Sequence, residues 1–141
     1  MLISIENQTT FDTPLSELEK IASALTSKEI ELIITDALTI QEMNASYRFK
    51  DMPTDVLSFP IEGRFEGVPL GSIVICVDFI YEKAKLLGHT PEQESQLLFI
   101  HGLLHLLGFD HESDNGEMRE EEEVLIKKFN LPDSLIVRTY K

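Results

Sequence analysis

The sequence predicts an α/β (α+β) fold in which a small mixed β-sheet of about four strands packs with about five helices. Three observations support this class. Short β-branched segments alternate with amphipathic segments, the amphipathic segments begin at helix-capping residues, and glycine or proline separates most of them. No repeat or linker interrupts the 141 residues, of which 43% are hydrophobic, so we expect one domain spanning 1–141.

The first half of the chain predicts two strands, each followed by a helix. "LISIE" alternates apolar and polar residues, as a strand does. "TPLSELEKIASAL" has helical spacing, with Thr13 as the expected N-cap and Pro14 in the first turn. "IELIITD" is a β-branched second strand. Thr39 and Glu42 then form a capping-box pattern that opens a helix running toward Tyr47.

The second half predicts two more strands and three helices. "VLSFP" and "SIVICV" are expected to pair as antiparallel neighbours, joined by the glycine- and proline-rich loop "IEGRFEGVPLG". Asp78 is the expected cap of a helix that ends at Gly88. Thr90 and Gln93 form a capping box for the next helix, which ends before Gly108. "DNGEMREEEEVLIKKFNL" predicts a last helix with its acids early and its lysines late.

The charge of the chain is strongly negative. A net charge of -13 taken alone argues against a nucleic-acid partner, because phosphate binding normally uses clustered lysine and arginine. Much of the acid lies in "EMREEEEV" (117–124), which we interpret as a solvated helix face. Arg48, Lys50 and Arg64 still allow a local positive groove on an acidic body.

The N-terminal segment, the hydropathy and the single cysteine indicate the cellular compartment of the protein. The opening "MLISIENQTT" has no basic leader, and no stretch is long and apolar enough to cross a bilayer. The single cysteine, Cys76, excludes an internal disulfide, and its apolar setting predicts a buried strand. We therefore expect a cytoplasmic protein with no membrane partner.

The segment "HGLLHLLGFDH" (101–111) contains three of the four histidines. His101 and His105 are four residues apart and therefore share one helix face, and Gly108 can turn the chain so that His111 returns to them. An isolated histidine is more often a hydrogen-bonded core residue than a ligand. Three unpartnered imidazoles would cost on the order of several kcal/mol to bury. The spacing therefore predicts one Zn²⁺ with three protein ligands and an open fourth position.

The same spacing occurs in zinc proteases of the pattern H-E-x-x-H-x-x-G-x-x-H, so the helix is zincin-like. Gly102 stands where those proteases keep the glutamate that serves as the general base, which predicts a different reaction. Glycine at this position costs the helix about 1 kcal/mol relative to alanine. Close helix packing and room for a bulky substrate both explain it, and the sequence does not choose between them.

Two motifs together, "HGLLHLLGFDH" and "NASYRFKDMPTDVLSFP", resemble the YbeY family of bacterial metal-dependent endoribonucleases. The resemblance covers nearly the whole chain. It implies a single-strand-specific enzyme of ribosomal RNA processing (16S rRNA 3′-end maturation) and ribosome quality control. It also implies that His101, His105 and His111 bind zinc, and that Arg48 is the family's functionally important arginine. One departure is Ser72, in "LGS", where the family pattern leads us to expect an acid.

Several hypotheses follow for the mechanism and the partners. Arg48 either holds the scissile phosphate or bonds the last carbonyls of its own helix. The nucleophile is either a water activated by the metal or the RNA 2′-hydroxyl. The alternative functions are a zinc hydrolase of peptides or small molecules, and a noncatalytic ribosome-assembly factor with a structural zinc. Because the chain is acidic, we expect weak binding of free RNA and delivery of the ribosomal RNA by a ribosomal protein or assembly GTPase.

The polar neighbours of the motif have plainer expected roles. Asp110 either orients a ligand imidazole or caps the next turn, with the turn favoured. His89 is expected at the surface before a helix cap. Glu112 and Asp114 are expected to be solvated loop acids rather than supports for the ligands.

Overall fold

The computed structural model describes residues 1–61 and 67–132, and these ranges contain four strands and five helices. The strands are β1 (Ile3–Asn7), β2 (Ile30–Thr35), β3 (Val56–Pro60) and β4 (Gly71–Cys76). The helices are α1 (Leu15–Leu25), α2 (Ala37–Arg48), α3 (Val77–Leu87), α4 (Pro91–Leu106) and α5 (Glu117–Phe129). The predicted fold class is therefore confirmed. Part of the predicted loop, and with it Arg64, lies outside the described residues.

The four strands form one mixed sheet in the order β1-β2-β4-β3. Strands β1, β2 and β4 run parallel, and β3 runs antiparallel to β4, as predicted. Ile30 of β2 lies opposite Ile3 on one side and Gly71 on the other. Helix α1 connects β1 to β2, as parallel pairing requires a crossover.

Helix α4 is buried on almost all sides, and it fixes the position of the histidine motif. It contacts β3, β4, α1, α3 and α5, so its sequence is apolar around most of its circumference. Its largest fully buried side chains include Leu98, Phe99 and Ile100, which belong to the main core with Ile73 and Ile75 of β4. A helix held on so many sides gives its side chains a rigid frame.

The opposite face of the sheet carries a smaller core under α2. Ile40 of α2 packs there with Leu57, Val74 and Cys76. Cys76 is fully buried at the end of β4, as predicted, and burial raises the pKa of its thiol. Among the helices of the described ranges, none is both long and apolar enough to cross a bilayer.

The predicted caps of the first three helices are wrong. Helix α1 begins after Pro14, with no side-chain cap from Thr13. Asp36, not Thr39, caps α2, because the Asp36 carboxylate accepts a hydrogen bond of 2.8 Å from the backbone amide of Thr39. This hydrogen bond also lowers the pKa of Asp36. Asp78 lies inside α3, where its carboxylate accepts a hydrogen bond from the amide of Ala37 and so links α3 to α2.

The predicted boundaries around α4 are confirmed. Thr90 and Gln93 form a complete capping box, with each side chain bonded to the other's backbone amide. Gly88 ends α3 in a left-handed conformation.

The last helix, α5, begins later than predicted, at Glu117 rather than Asp114. Asp114 instead accepts hydrogen bonds from the backbone amides of Gly116 and Met118 at the start of α5.

Candidate metal centre

Three histidines converge at the end of α4. His101 and His105 occupy successive turns of the helix, and Gly108 then turns the chain with a φ of +99° that favours glycine. The turn returns His111 to the other two. One ring nitrogen of each residue lies within 4.8 Å of the others, so the three could hold a metal ion.

The hydrogen bonds of two of these rings indicate which nitrogens are free. His105 Nδ1 lies 3.0 Å from the carbonyl oxygen of Phe109, and His101 Nδ1 lies 2.6 Å from a carboxylate oxygen of Glu122. Carbonyl and carboxylate oxygens accept hydrogen bonds, so both rings carry their proton on Nδ1. When both rings are neutral, the two Nε2 atoms present lone pairs to each other, and they lie only 3.2 Å apart. A cation between them turns this repulsion into attraction.

Two further observations fit a metal ion. His111 Nδ1 is buried and has no hydrogen-bond partner among residues 1–61 and 67–132, which is costly unless the ring has another role. Desolvation by burial, and then the neighbouring His101 and His111, lower the pKa of His105. His105 therefore favours the neutral imidazole, the form that binds metals.

The Glu122 carboxylate supports the cluster from α5, and the sequence analysis missed it. We interpreted the acidic run as a solvated face, but the Glu122 side chain is only 1% exposed. A carboxylate that accepts from the Nδ1–H of a ligand histidine fixes the ring and raises its basicity. The sequence spacing could have indicated the burial of Glu122. Met118, Glu122 and Leu125 recur at helical intervals, and they form the buried face of α5.

An open cavity of about 380 Å³ adjoins the histidines. His105, His111 and Arg48 line it together, although Arg48 comes from the end of α2. Arg48 is exposed, and within the described part of the chain its guanidinium makes no hydrogen bond or ion pair. The arginine therefore does not bond the last carbonyls of its helix, which was one of the two expectations.

Comparison of the sequence and the fold with known proteins identifies the family of this chain. The family model described as Endoribonuclease YbeY matches residues 3–130. The chain belongs to the YbeY family.

Relatives support this membership over nearly the whole chain. A protein of Sulfurovum sp. named Endoribonuclease YbeY is 57% identical, with 97% of each chain covered. A Campylobacter jejuni protein of the same name is 62% identical over 86% of this chain and 90% of its own. The solution structure of a Thermotoga maritima protein is similar at a TM-score of 0.64, with 30% identity over 90% of this chain and 88% of that one.

Ser72, at the position where the YbeY pattern leads us to expect an acid, lies away from the histidines. It occupies the face of β4 opposite Ile73, and its hydroxyl donates a 2.8 Å hydrogen bond to the carboxylate of Glu31 on β2. Ser72 lines a separate groove on that face of the sheet with Tyr47 and Phe59. Ser72 therefore belongs to a surface outside the cavity lined by His105 and His111.

The polar neighbours of the motif mostly shape the backbone. Asp110 accepts hydrogen bonds from the amide of Glu112 and the hydroxyl of Ser113, which lower its pKa and fit the turn role. Both Asp110 and Glu112 also line the cavity. His89 was expected at the surface, and this is wrong. Its side chain is only 8% exposed, and its Nε2 lies 2.7 Å from the buried carboxylate of Glu94.

The structure favours close packing as the reason for Gly102. A Cβ atom there would lie 2.9 Å from Ile73 Cγ2 and 3.3 Å from Val56 Cγ2. The Gly102 carbonyl also accepts a 2.9 Å hydrogen bond from the hydroxyl of Ser58 on β3. Glycine thus lets α4 approach the sheet closely, which positions the first histidine of the motif.

Replacing Gly102 with alanine is expected to lower the thermal midpoint of unfolding. Crowding in a packed core costs about 1–3 kcal/mol, and the higher helix propensity of alanine offsets about 1 kcal/mol of this. Thermal unfolding followed by circular dichroism measures the difference. Ser23→Ala, on an exposed position of α1, is the control and should leave the midpoint nearly unchanged. A raised midpoint for Gly102→Ala would contradict the packing explanation.

Proposed function

We propose that this protein is a zinc-dependent endoribonuclease that cleaves single-stranded RNA in ribosomal RNA processing, including 16S rRNA 3′-end maturation, and in ribosome quality control. His101, His105 and His111 bind one Zn²⁺, Arg48 is the catalytic arginine, and residues 1–141 form one domain. The observation that carries the proposal is the pair of Nε2 atoms that face each other at 3.2 Å while both Nδ1 atoms are engaged. Membership of the YbeY family supports the reaction.

The choice of zinc rests on ligand chemistry and spacing. Three imidazoles and no carboxylate ligand suit zinc better than magnesium or calcium, which prefer oxygen. Two nitrogens bound tetrahedrally at about 2.0–2.1 Å lie about 3.3 Å apart. The observed Nε2 separation of 3.2 Å is close to this value. The His101 and His105 side chains therefore need little movement to bind the ion.

Cleavage of a phosphodiester requires neutralisation of charge on the phosphoryl oxygens, a nucleophile and a proton for the leaving oxygen. Zinc held by the three histidines supplies a Lewis acid beside the cavity. The Arg48 guanidinium lines the same cavity and can hold two phosphate oxygens through parallel N–H donors. Glu122 keeps the His101 ring oriented, and the Phe109 carbonyl does the same for His105.

The two alternative functions are less well supported. A peptidase of the zincin type needs a base where this chain has Gly102, and that position is packed against the sheet. A purely structural zinc has a closed shell of four ligands. Here three histidines stand beside an open cavity that also receives an arginine.

Replacing Arg48 with alanine is expected to lower kcat/KM for RNA cleavage about 10- to 100-fold, because a charge-assisted hydrogen bond contributes about 1.5–3 kcal/mol. Zinc content and the unfolding midpoint should not change, since Arg48 is exposed. Cleavage of a fluorescent single-stranded oligonucleotide measures the effect. Arg119→Ala, at an exposed arginine of α5, is the matched control. Unchanged cleavage by the Arg48 variant would refute the assigned role.

We further propose that a ribosomal protein or assembly GTPase delivers the ribosomal RNA in the cytoplasm. The net charge of -13 repels a polyanion, so the affinity for free RNA should be weak and should depend markedly on salt. Fluorescence anisotropy with single-stranded RNA over a salt series tests this expectation. Nanomolar affinity for free RNA at physiological salt would contradict it.

A further inference from the structure

The aromatic side chain of Phe49 is displayed to solvent at the end of α2. Phe49 is the C-cap residue of this helix and has left-handed backbone angles, with φ 58° and ψ 31°. Its side chain is 91% exposed. Within the described residues, Asn130 is the other non-glycine residue with a positive φ, and asparagine tolerates that conformation better than phenylalanine does.

This phenylalanine is unfavourable for stability in two respects. Glycine or asparagine usually occupies a left-handed helix end, because a Cβ atom strains the backbone there. The ring also leaves nearly all of its apolar surface in water, so it contributes little to the core. A residue that is strained and exposed at once suggests a role outside folding.

The backbone around Phe49 is held firmly. The buried Asn44 accepts a backbone hydrogen bond at the cap through its carbonyl and donates one of 2.9 Å from its side-chain amide to the carbonyl of Met52. The chain therefore leaves α2 along a fixed path. The aromatic ring is presented from a rigid position rather than from a flexible tail.

The neighbours of Phe49 carry positive charge and adjoin the candidate metal centre. Arg48 lines the cavity beside His105 and His111, and Lys50, the residue after Phe49, is exposed. In a chain of net charge -13, a cation, an aromatic ring and another cation in succession are locally complementary to a polyanion. Proteins that bind single-stranded nucleic acid combine aromatic platforms with basic residues in this way.

We propose that Phe49 is a stacking platform for an unpaired base of the RNA whose phosphate is held at Arg48, with Lys50 contacting the backbone. This inference rests on the proposed function and deepens it. An aromatic ring can stack on a base only when the flat face of that base is free. In duplex RNA the neighbouring stacked bases cover this face. Phe49 is thus a residue that determines the preference for single strands.

The test compares cleavage of an unstructured RNA oligonucleotide with cleavage of the same strand in a duplex. Phe49→Gly removes the ring and also relieves the backbone strain, so the variant should fold at least as well as the parent. We expect its kcat/KM for the single strand to fall about tenfold. The slow cleavage of the duplex should not decrease further, and neither the zinc content nor the unfolding midpoint should fall. Phe49→Trp keeps a stacking surface and should retain cleavage of the single strand.

Leu86→Ala is the matched control, since Leu86 of α3 is 70% exposed and does not line the cavity of the metal centre. The inference is overturned if Phe49→Gly cleaves the single strand as the parent does, or if both substrates lose activity equally. Normal cleavage with weakened binding to ribosomal subunits would overturn it in favour of a protein contact. If the parent protein loaded with zinc cleaves no RNA, the proposed function itself fails.

Discussion

Replacing His105 with alanine is expected to reduce bound zinc from one ion per chain to none and to lower RNA cleavage to background. The change removes one of the three proposed ligands and also breaks the facing pair of Nε2 atoms. The loss should exceed the roughly 10- to 100-fold that removal of a supporting partner costs a metal site. Elemental analysis of the purified variant and cleavage of single-stranded RNA measure the two effects.

The fourth histidine is the control for this experiment. His89 contacts the buried Glu94 and lies outside the cavity lined by His105 and His111, so His89→Ala should keep its zinc even if it unfolds at a lower temperature. A His105→Ala protein that retains a full equivalent of zinc would show that the histidines are not the ligands. Full cleavage in metal-free buffer would point to a contaminating nuclease.

Replacing Glu122 with alanine is expected to weaken zinc binding about 10- to 100-fold, as loss of a carboxylate behind a ligand histidine usually does. Glu122 Oε2 lies 2.6 Å from His101 Nδ1, so the variant frees the ring to rotate and lowers the basicity of Nε2. Competition with a chromophoric chelator measures the affinity. Glu122→Gln keeps an acceptor oxygen but no charge, and should show a smaller loss.

Glu123 provides a control one residue away. Its side chain is 46% exposed, and its carboxylate pairs with Arg119 on the surface of α5. Glu123→Ala therefore removes the same charge from the same helix and should leave zinc affinity unchanged. Equal affinities for the two alanine variants, with both proteins folded, would contradict the assignment of Glu122 to His101.

The parts of the site that the sequence predicted are those set by local geometry. His101 and His105 share a helix face because of their spacing, and the turn at Gly108 follows from the conformational freedom of glycine. Glu122 approaches from another helix across a tertiary contact. Glu122 was overlooked because it lies in a run of acids, which by composition indicates a solvated segment. Helical spacing, not composition, decides which carboxylate of that run is buried.

The same distinction applies to the fold. The strands, and the capping box of Thr90 and Gln93, follow from neighbouring residues and were predicted. The cap at Asp36 was missed because a second polar residue, Thr39, offers a similar pattern three positions later. Asp78 was assigned a local role, but it bonds Ala37 of a different helix, which only the packing of α2 against α3 determines.

X-ray absorption spectroscopy at the zinc edge of the purified parent protein tests the central claim most directly. The account predicts about one zinc per chain with three imidazole nitrogens at about 2.0–2.1 Å and a further light ligand. His105→Ala should lose this signal, and His89→Ala should keep it. A parent protein that binds no metal under saturating zinc, or whose bound metal shows no imidazole scattering, would contradict the account.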